Sequence, residues 1–373
     1  MNSSNERNVS MDLLRIISML MIITLHYIKY GQALLIDQNV KYLIWYIEIF
    51  CMVAVNLYVL ISGYYLIESN FSWKKVFKLC KQVWFYSILF LLIHLLISHE
   101  ITLKQILLSF FPILLKVYWF ITIYLFMYIM SPYLNKMIKN LTKREHLSLC
   151  LILIFIFSIL HLFLPEFGSL NPQGGYSIIW FIVLYIIAGY IRKYVVIDKN
   201  IILLLIPFLN TLFILLIKFG LRIFLKDYYS LYPYIDRIYE YYSIFILVNS
   251  ICLFLYFRNL KIDSKTIKKL ILTFSTFTFG VYLIHENIFV NKIIYIDYFN
   301  SMLRANEGVF PFIINWLFFI FLVFISCCLI DYIRNLLFKV CDNIKDRLNI
   351  NKKIKNLNIV KFIKRLILKI WKK

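Results

Sequence analysis

Long, almost wholly apolar runs recur from one end of this chain to the other, broken by short polar stretches rich in lysine. The pattern is neither the two-residue alternation of a half-buried strand nor the narrow apolar stripe of a soluble amphipathic helix. Each run is long enough, at about 18 to 25 residues, to cross the hydrocarbon layer of a bilayer as a helix. Ten such segments are expected, over 12–29, 42–67, 81–98, 117–135, 147–164, 176–191, 201–219, 238–257, 270–290 and 311–333. The predicted fold class is therefore all-α: a polytopic integral membrane helical bundle with about ten transmembrane helices.

The polar stretches orient it. With the N-terminus inside, the inner loops hold "SWKKVFK", "NKMIKNLTKRE", "RKYVVIDK" and "RNLKIDSKTIKK", which together carry 15 Lys/Arg, and the stretch from Arg334 onward carries 13 more. The five outer loops, counted with the ends of their flanking segments, carry ten, and "PEFGSLNPQGGYS" carries none. An excess of Lys/Arg in short loops marks the cytoplasmic face. An N-in, C-in bundle is expected, a multi-pass protein of a bacterial cytoplasmic membrane.

Two further segments read as interfacial. "ITLKQILLSFFPILLKVY" (101–118) is expected along the outer surface. "NKKIKNLNIVKFIKRLILKIWKK" (351–373) repeats Ile359, Ile363, Leu366, Ile367 and Ile370 at helical spacing with Lys361, Lys364, Arg365 and Lys369 between them. That pattern suits an anionic inner leaflet. The chain divides into a cytoplasmic segment 1–11, a transmembrane unit 12–333 and a basic amphipathic tail 334–373.

Composition removes the soluble alternatives. Hydrophobic residues make up 62% and charged residues 16% of the 373, with mean hydropathy +0.79, against about half and a quarter in an ordinary soluble domain. A net charge of +22 would point to nucleic acid in a soluble protein; here its placement in the inner loops points to lipid headgroups, and no nucleic-acid partner is expected. The first ten residues are polar and no small-x-small site follows the first apolar run, so that run is expected to be retained rather than cleaved as a signal. The seven cysteines form no CxxC pair and read as small buried hydrophobes, not as a disulfide framework.

The chemistry lies in the polar residues of the apolar runs. Arg15 and His26 stand eleven residues apart, close to three full turns, so both leave nearly the same helix face about 16 Å apart along the axis. An ionisable residue at such depth costs on the order of 3 kcal/mol and usually faces a protein-lined cavity. Singly, Arg15 would be read as snorkelling to headgroups and His26 as an interfacial histidine. Together, on one face at opposite depths, they predict a shared interior cavity.

"MDLLR" followed by His26 resembles the first helix of the acyltransferase 3 family of integral membrane acyltransferases, marked by Arg, ten residues, His. The rest agrees in order. "LYVLISGYYL" (57–66) resembles that family's Ser-Gly-aromatic stretch, and "WKKVFKLCKQVWFY" (73–86) its basic cytoplasmic segment. "VYWFITIYLFMYIMSPYLN" (117–135) is similar to its Tyr-Trp-Phe entry and Pro-x-x-Asn exit, and "FGVYLIHE" (279–286) to its Tyr-Leu-x-His motif. The likeness spans about residues 7 to 333. Two departures stand out: lysines occupy the basic segment where many members have arginines, so point charges replace a planar bidentate grip, and no C-terminal esterase-like domain follows.

The resemblance implies transfer of an acyl group, most often acetyl from acetyl-CoA, to a hydroxyl of a cell-surface or cell-wall glycan. Acetyl-CoA enters as donor substrate, with no tightly bound cofactor. Arg15, Lys74, Lys75, Lys78 and Lys81 are the expected contacts of the coenzyme A phosphates. His26, a residue type whose ordinary pKa near 6.5 suits proton abstraction at neutral pH, is the expected catalytic group with Arg15, either as general base or by transient acylation of its ring. Ser62, Gly63, Tyr64, Trp119, His285 and Glu286 are the expected substrate-side residues, with His285 and Glu286 orienting His26 or binding the acceptor. Ser62-Gly63-Tyr64 is read first as a point of close helix packing, since Gly63 lets backbones approach. The membrane unit either completes the reaction alone or hands its product to a separate extracytoplasmic protein. No G-x-S-x-G, H-E-x-x-H, Cys/His ligand spacing or G-x-x-x-x-G-K occurs, so no hydrolase triad, metal site or nucleotide loop is expected. The reading from another class is a flippase for a glycan or lipid-linked sugar, in which the same polar column lines a transport path.

Overall fold

The computed structural model describes residues 8–30, 38–98, 100–163, 173–198, 200–225, 228, 235–297 and 308–347. Among them there is no strand. The α-helices in chain order are α1 (Val9–Tyr30), α2 (Gln38–Cys51), α3 (Val53–Leu66), α4 (Trp73–Ser98), α5 (Leu103–Phe110), α6 (Trp119–Asn140), α7 (Lys143–Ile154), α8 (Leu160–Phe163), α9 (Ile178–Tyr194), α10 (Ile202–Phe224), α11 (Ile244–Arg258), α12 (Lys265–Ser275), α13 (Thr278–His285) and α14 (Val309–Arg347). Only Met52 separates α2 from α3, and one π-turn, Phe155–Ile159, joins α7 to α8. The all-helical result follows from the environment the composition requires: without water, each backbone group must be satisfied within its own segment.

Every one of the ten expected segments falls on a helix or a joined helix pair. Among the described residues, seven helices qualify as membrane spans by length and apolarity, or eight if α12 and α13, bent by 43°, form one broken span. This does not confirm the count of ten. α9 is 17 residues long, and α6 carries Pro132, Asn135 and Lys136 within its 22. Both are instead held inside the bundle. α3, α9 and α11 are apolar and largely buried, whereas α4, α7, α10 and α14 turn apolar side chains such as Leu96, Leu151, Phe224 and Leu329 outward. Apolar side chains on the outside are what a lipid solvent permits, since lipid tails give helices no hydrophobic reason to hide them.

Close approach at the centre depends on small residues. A Cβ placed on Gly63 of α3 would lie 2.9 Å from the Ala188 Cβ of α9 and 3.3 Å from the Tyr185 Cα. Neither neighbour is the far end of a flexible chain, so the two helices meet there because Gly63 has no side chain.

Loops expected on one side of the membrane are tied together at one end of the bundle. Ser10 Oγ donates to the Leu260 carbonyl, Lys193 Nζ to the Ile138 carbonyl at 2.8 Å and Arg258 to the Val195 carbonyl at 3.0 Å. Arg192 pairs with Glu68 at 2.5 Å, and that guanidinium holds the Glu68 carboxyl below the usual carboxylate range. These are the segments whose lysines mark the cytoplasmic face, so the helices alternate in direction as the charge pattern requires.

A buried ionic clamp joins α4, α13 and α14. Asp331 is fully buried and accepts from Tyr86 Oη at 2.6 Å, Gln82 Nε2 at 3.2 Å, and Arg334 through both Nε and Nη2 at 2.9 Å. Gly280 of α13 leaves its room, because a Cβ there would run into the Asp331 carboxylate.

α14 has 39 residues, about 58 Å at 1.5 Å per residue, roughly twice the hydrocarbon thickness. It therefore runs unbroken through the expected boundary at 333/334. The amphipathic pattern at 351–373 lies outside the described residues. The segment at 101–118 forms the short helix α5, started by a reciprocal Thr102–Gln105 capping box, and exposes Leu103, Phe110, Phe111 and Leu114.

Candidate functional site

A cavity of about 870 Å3 runs into the bundle, walled by α1, α2, α3, α6, α13 and the segments around Tyr176 and Tyr239–Tyr241. One face of α1 supplies Arg15, Met19, Ile22 and His26 to its lining. Their spacing of four, three and four residues is that of a single helical face. Arg15 and His26 thus open into one interior space at two depths.

At the upper end, two polar groups converge on His26. Its Nδ1 lies 2.9 Å from Glu286 Oε1 and 3.2 Å from His285 Nε2. His285 is fully buried behind it, and its Nδ1 is 2.6 Å from the Val281 carbonyl. The tautomers follow from these partners. A carbonyl only accepts, so neutral His285 carries its proton on Nδ1 and offers a lone pair at Nε2. His26 must then donate from Nδ1 to that lone pair, with the Glu286 carboxylate 2.9 Å away as its ionic partner. The remaining His26 nitrogen, Nε2, is left with its lone pair on a residue that lines the cavity. This is the arrangement in which a carboxylate orients an imidazole as base.

The chain folds this way locally for identifiable reasons. α13 is bent by 43° from α12 and ends at His285, with Glu286 at its C-terminal cap and 2.9 Å from His26 of α1. Asn287 Nδ2 donates 2.9 Å to Tyr118 Oη, which donates 3.1 Å to the Leu283 carbonyl. This chain ties the turn after α13 to the entry of α6. Tyr30 and Tyr295 flank the His26 ring at 5.4 and 6.1 Å between centroids.

The atoms of His26, His285 and Glu286 also lie within 4.8 Å of one another, a set that a transition metal can use.

At the lower end Arg15 donates through Nη1 to Asp12, a fully buried residue one turn earlier on α1. Tyr58 Oη donates 2.7 Å to the Arg15 carbonyl, and the guanidinium lies 5.8 Å from the centre of the Tyr65 ring. Asp12 uses part of the guanidinium; about a third of the Arg15 side chain stays exposed.

The other expected residues divide. Ser62 and Trp119 line the cavity, as does Glu286. Gly63 and Tyr64 are not among its lining residues: Gly63 packs against α9, and Tyr64 lies 5.3 Å from Phe254 with the Arg192 guanidinium 4.7 Å over its ring. A helix turns 100° per residue, so three consecutive residues cannot share one face. Lys74, Lys75, Lys78 and Lys81 are all exposed on α4, outside the lining, to which α4 contributes Leu79. Lys81 Nζ lies 4.1 Å over the Phe338 ring.

Reading the sequence missed several groups. Glu48 and Tyr239 line the cavity. Lys218, 2% exposed, bonds Tyr239 Oη at 2.6 Å and lies 3.3 Å from Asp236. Their signal was present in "YLIWYIEIF" and "LFILLIKFGL", each with one ionisable residue in an apolar run.

Comparison with protein families matches residues 8–333 to the acyltransferase domain of the acyltransferase 3 family. No curated protein and no solved structure matches the chain. With 326 of the 373 residues covered by that match and the helical membrane bundle in place, the chain belongs to the acyltransferase 3 family and is a membrane acyltransferase.

Proposed function

We propose that the protein transfers an acyl group, acetyl foremost, from acyl-CoA at the cytoplasmic face to a hydroxyl of a cell-surface or cell-wall glycan. The observation that carries this reading is the shared cavity, with a guanidinium at one depth and an oriented imidazole about three turns away. The phosphates of coenzyme A meet Arg15, with Lys74, Lys75, Lys78 and Lys81 as exposed charges on the approach. The pantetheine arm reaches upward between them. At the outer end His26 Nε2 takes the proton of the acceptor hydroxyl as its oxygen attacks the thioester carbonyl. The new C–O bond forms, the C–S bond breaks, and the proton returns to the leaving thiolate to give free coenzyme A. Glu286 stabilises the imidazolium that forms between these steps. A flippase would need no acyl donor, and membership of an acyltransferase family favours the enzyme.

The test uses the whole chain in lipid nanodiscs with radiolabelled acetyl-CoA, alongside the ester-acetate content of surface glycans in cells with and without it. Saturable acetyl-CoA binding and loss of ester acetate without the chain are expected. Absence of binding together with unchanged glycan acetate overturns the reading.

Two variants sharpen it. Arg15→Ala weakens acetyl-CoA binding about ten- to hundredfold, the range of a lost charge-assisted hydrogen bond, measured as the acetyl-CoA Kd. Glu286→Gln leaves that Kd unchanged and lowers kcat on the order of a hundredfold, because an amide cannot stabilise the imidazolium as a carboxylate does. His285 Nε2 still accepts from His26 Nδ1, which keeps the loss below that of removing the ring.

A further inference from the structure

The cavity has a second polar wall, on α2, which the transfer chemistry leaves unused. Glu48 lines it, and Glu48 Oε2 is buried with no hydrogen-bond partner. A buried carboxylate oxygen without a donor is costly, and such groups call for an explanation. Lys218, Asp236 and Arg222 are the charged groups that act on Glu48, and they are engaged with one another: Lys218 Nζ with Tyr239 Oη at 2.6 Å and Asp236 at 3.3 Å, Arg222 with Asp236 at 3.2 Å. The two cations also straddle the Trp45 ring, at 4.7 and 4.8 Å from its centre. This network gives Glu48 Oε2 no donor.

The lining of the same cavity is also aromatic. Trp119 lies 4.4 Å from Tyr176 and 6.5 Å, stacked, from Tyr241, and Tyr176 lies 5.2 Å from Tyr241. All three rings and Tyr239 line the cavity. Backbone geometry keeps the cluster tight: a Cβ on Gly175, whose φ is +92°, would lie 2.5 Å from Tyr241 Cβ. Aromatic faces stack against apolar C–H surfaces, and a carboxylate that lacks donors accepts from hydroxyl or amide hydrogens. A neutral pyranose supplies both from one ring. An anionic ligand would instead bring like charge against Glu48 in a site of low dielectric.

We propose that Glu48, with Trp119, Tyr176 and Tyr241, forms the acceptor subsite and selects an uncharged sugar ring, its hydroxyl or acetamido hydrogens donated to Glu48. The inference rests on the acyl-transfer reading and adds the chemical class of the acceptor and the residue that recognises it. Glu48 is a binding residue here; the proton moves at His26.

The experiment uses the full chain in nanodiscs and two probes, acetyl-CoA and a soluble chitotriose, with Trp fluorescence for sugar binding and radiolabelled acetate for transfer. The wild type is expected to bind and acetylate chitotriose. Glu48→Gln raises the KM for chitotriose at least tenfold, with acetyl-CoA Kd unchanged. Tyr176→Leu, which removes an aromatic face and no charge, raises it in the same direction. Glu48→Asp guards against a folding defect: it keeps the charge, withdraws the carboxylate, and also raises KM. If the wild type acetylates chitotriose and both Glu48 variants keep its KM, the inference is overturned while the acyltransferase reading stands. If the wild type binds acetyl-CoA and never chitotriose, the neutral-sugar class is overturned. If it binds neither probe, the acyl-transfer reading falls and this inference falls with it.

Discussion

His26→Ala lowers acyl transfer by about a hundred- to ten-thousandfold, the contribution of a positioned general base, while acetyl-CoA binding persists. The expected separation of the two readouts follows from geometry. Arg15, the proposed contact of the donor's phosphates, lies about 16 Å lower along α1, and nothing in its Asp12 and Tyr58 partners depends on the imidazole. His26 is instead the point where Glu286 and His285 converge. Removing the ring leaves those two groups oriented toward an empty space with no base between them and the acceptor. The check is kcat for transfer with acetyl-CoA Kd measured on the same preparation and the membrane level of the variant compared with the parent. Transfer at the parental rate would remove His26 from the mechanism. Loss of both binding and transfer would make it a structural residue.

Asp331→Ala is the substitution with the largest expected effect on stability, a loss of about 3–5 kcal/mol. Asp331 is fully buried, and Arg334, 7% exposed, directs Nε and Nη2 at it. Truncating the carboxylate leaves that guanidinium buried without its counter-charge and also removes the acceptor of Tyr86 and Gln82. α14 then loses its polar attachment to α4. The pair need not be net stabilising for this to hold, since the cost lies in stranding one charge. Accordingly, the double variant Asp331→Ala/Arg334→Met recovers most of the loss. The measurement is the thermal unfolding midpoint of the detergent-solubilised chain, parent against single and double variants. A single variant that melts with the parent would show the clamp to be energetically idle.

Much of the fold was legible because its cause is local. A run of apolar residues in a lipid solvent has one way to satisfy its backbone, so the helices and their order could be read residue by residue. Arg15 and His26 could be placed on one face because helical periodicity alone relates positions eleven apart. The ends of elements were less legible. α14 continues through 334–347, since charged residues do not stop a helix that has left the membrane. Among the described residues the qualifying spans number seven or eight because α9, though apolar, has only 17 residues and α6 carries Pro132, Asn135 and Lys136 within its 22.

Within the site, local pattern and tertiary arrangement part company residue by residue. Ser62, Gly63 and Tyr64 are adjacent in sequence, yet only Ser62 reaches the cavity. Glu48 and Lys218 are conspicuous as single charges in apolar runs, yet only the packing of α2 against α10 shows that one lines the cavity and the other braces its wall. By itself the sequence determined that this is a membrane helical bundle of the acyltransferase 3 family, with a cation and an imidazole on one face of its first helix. Only the tertiary structure decided that His285 and Glu286 close on His26 from 259 and 260 residues away, and which ring nitrogen is left free. The reason is physical. Periodicity acts along one helix and is written in consecutive residues, whereas a hydrogen bond between helices depends on a bend at 275–278 and on the packing of every helix between them.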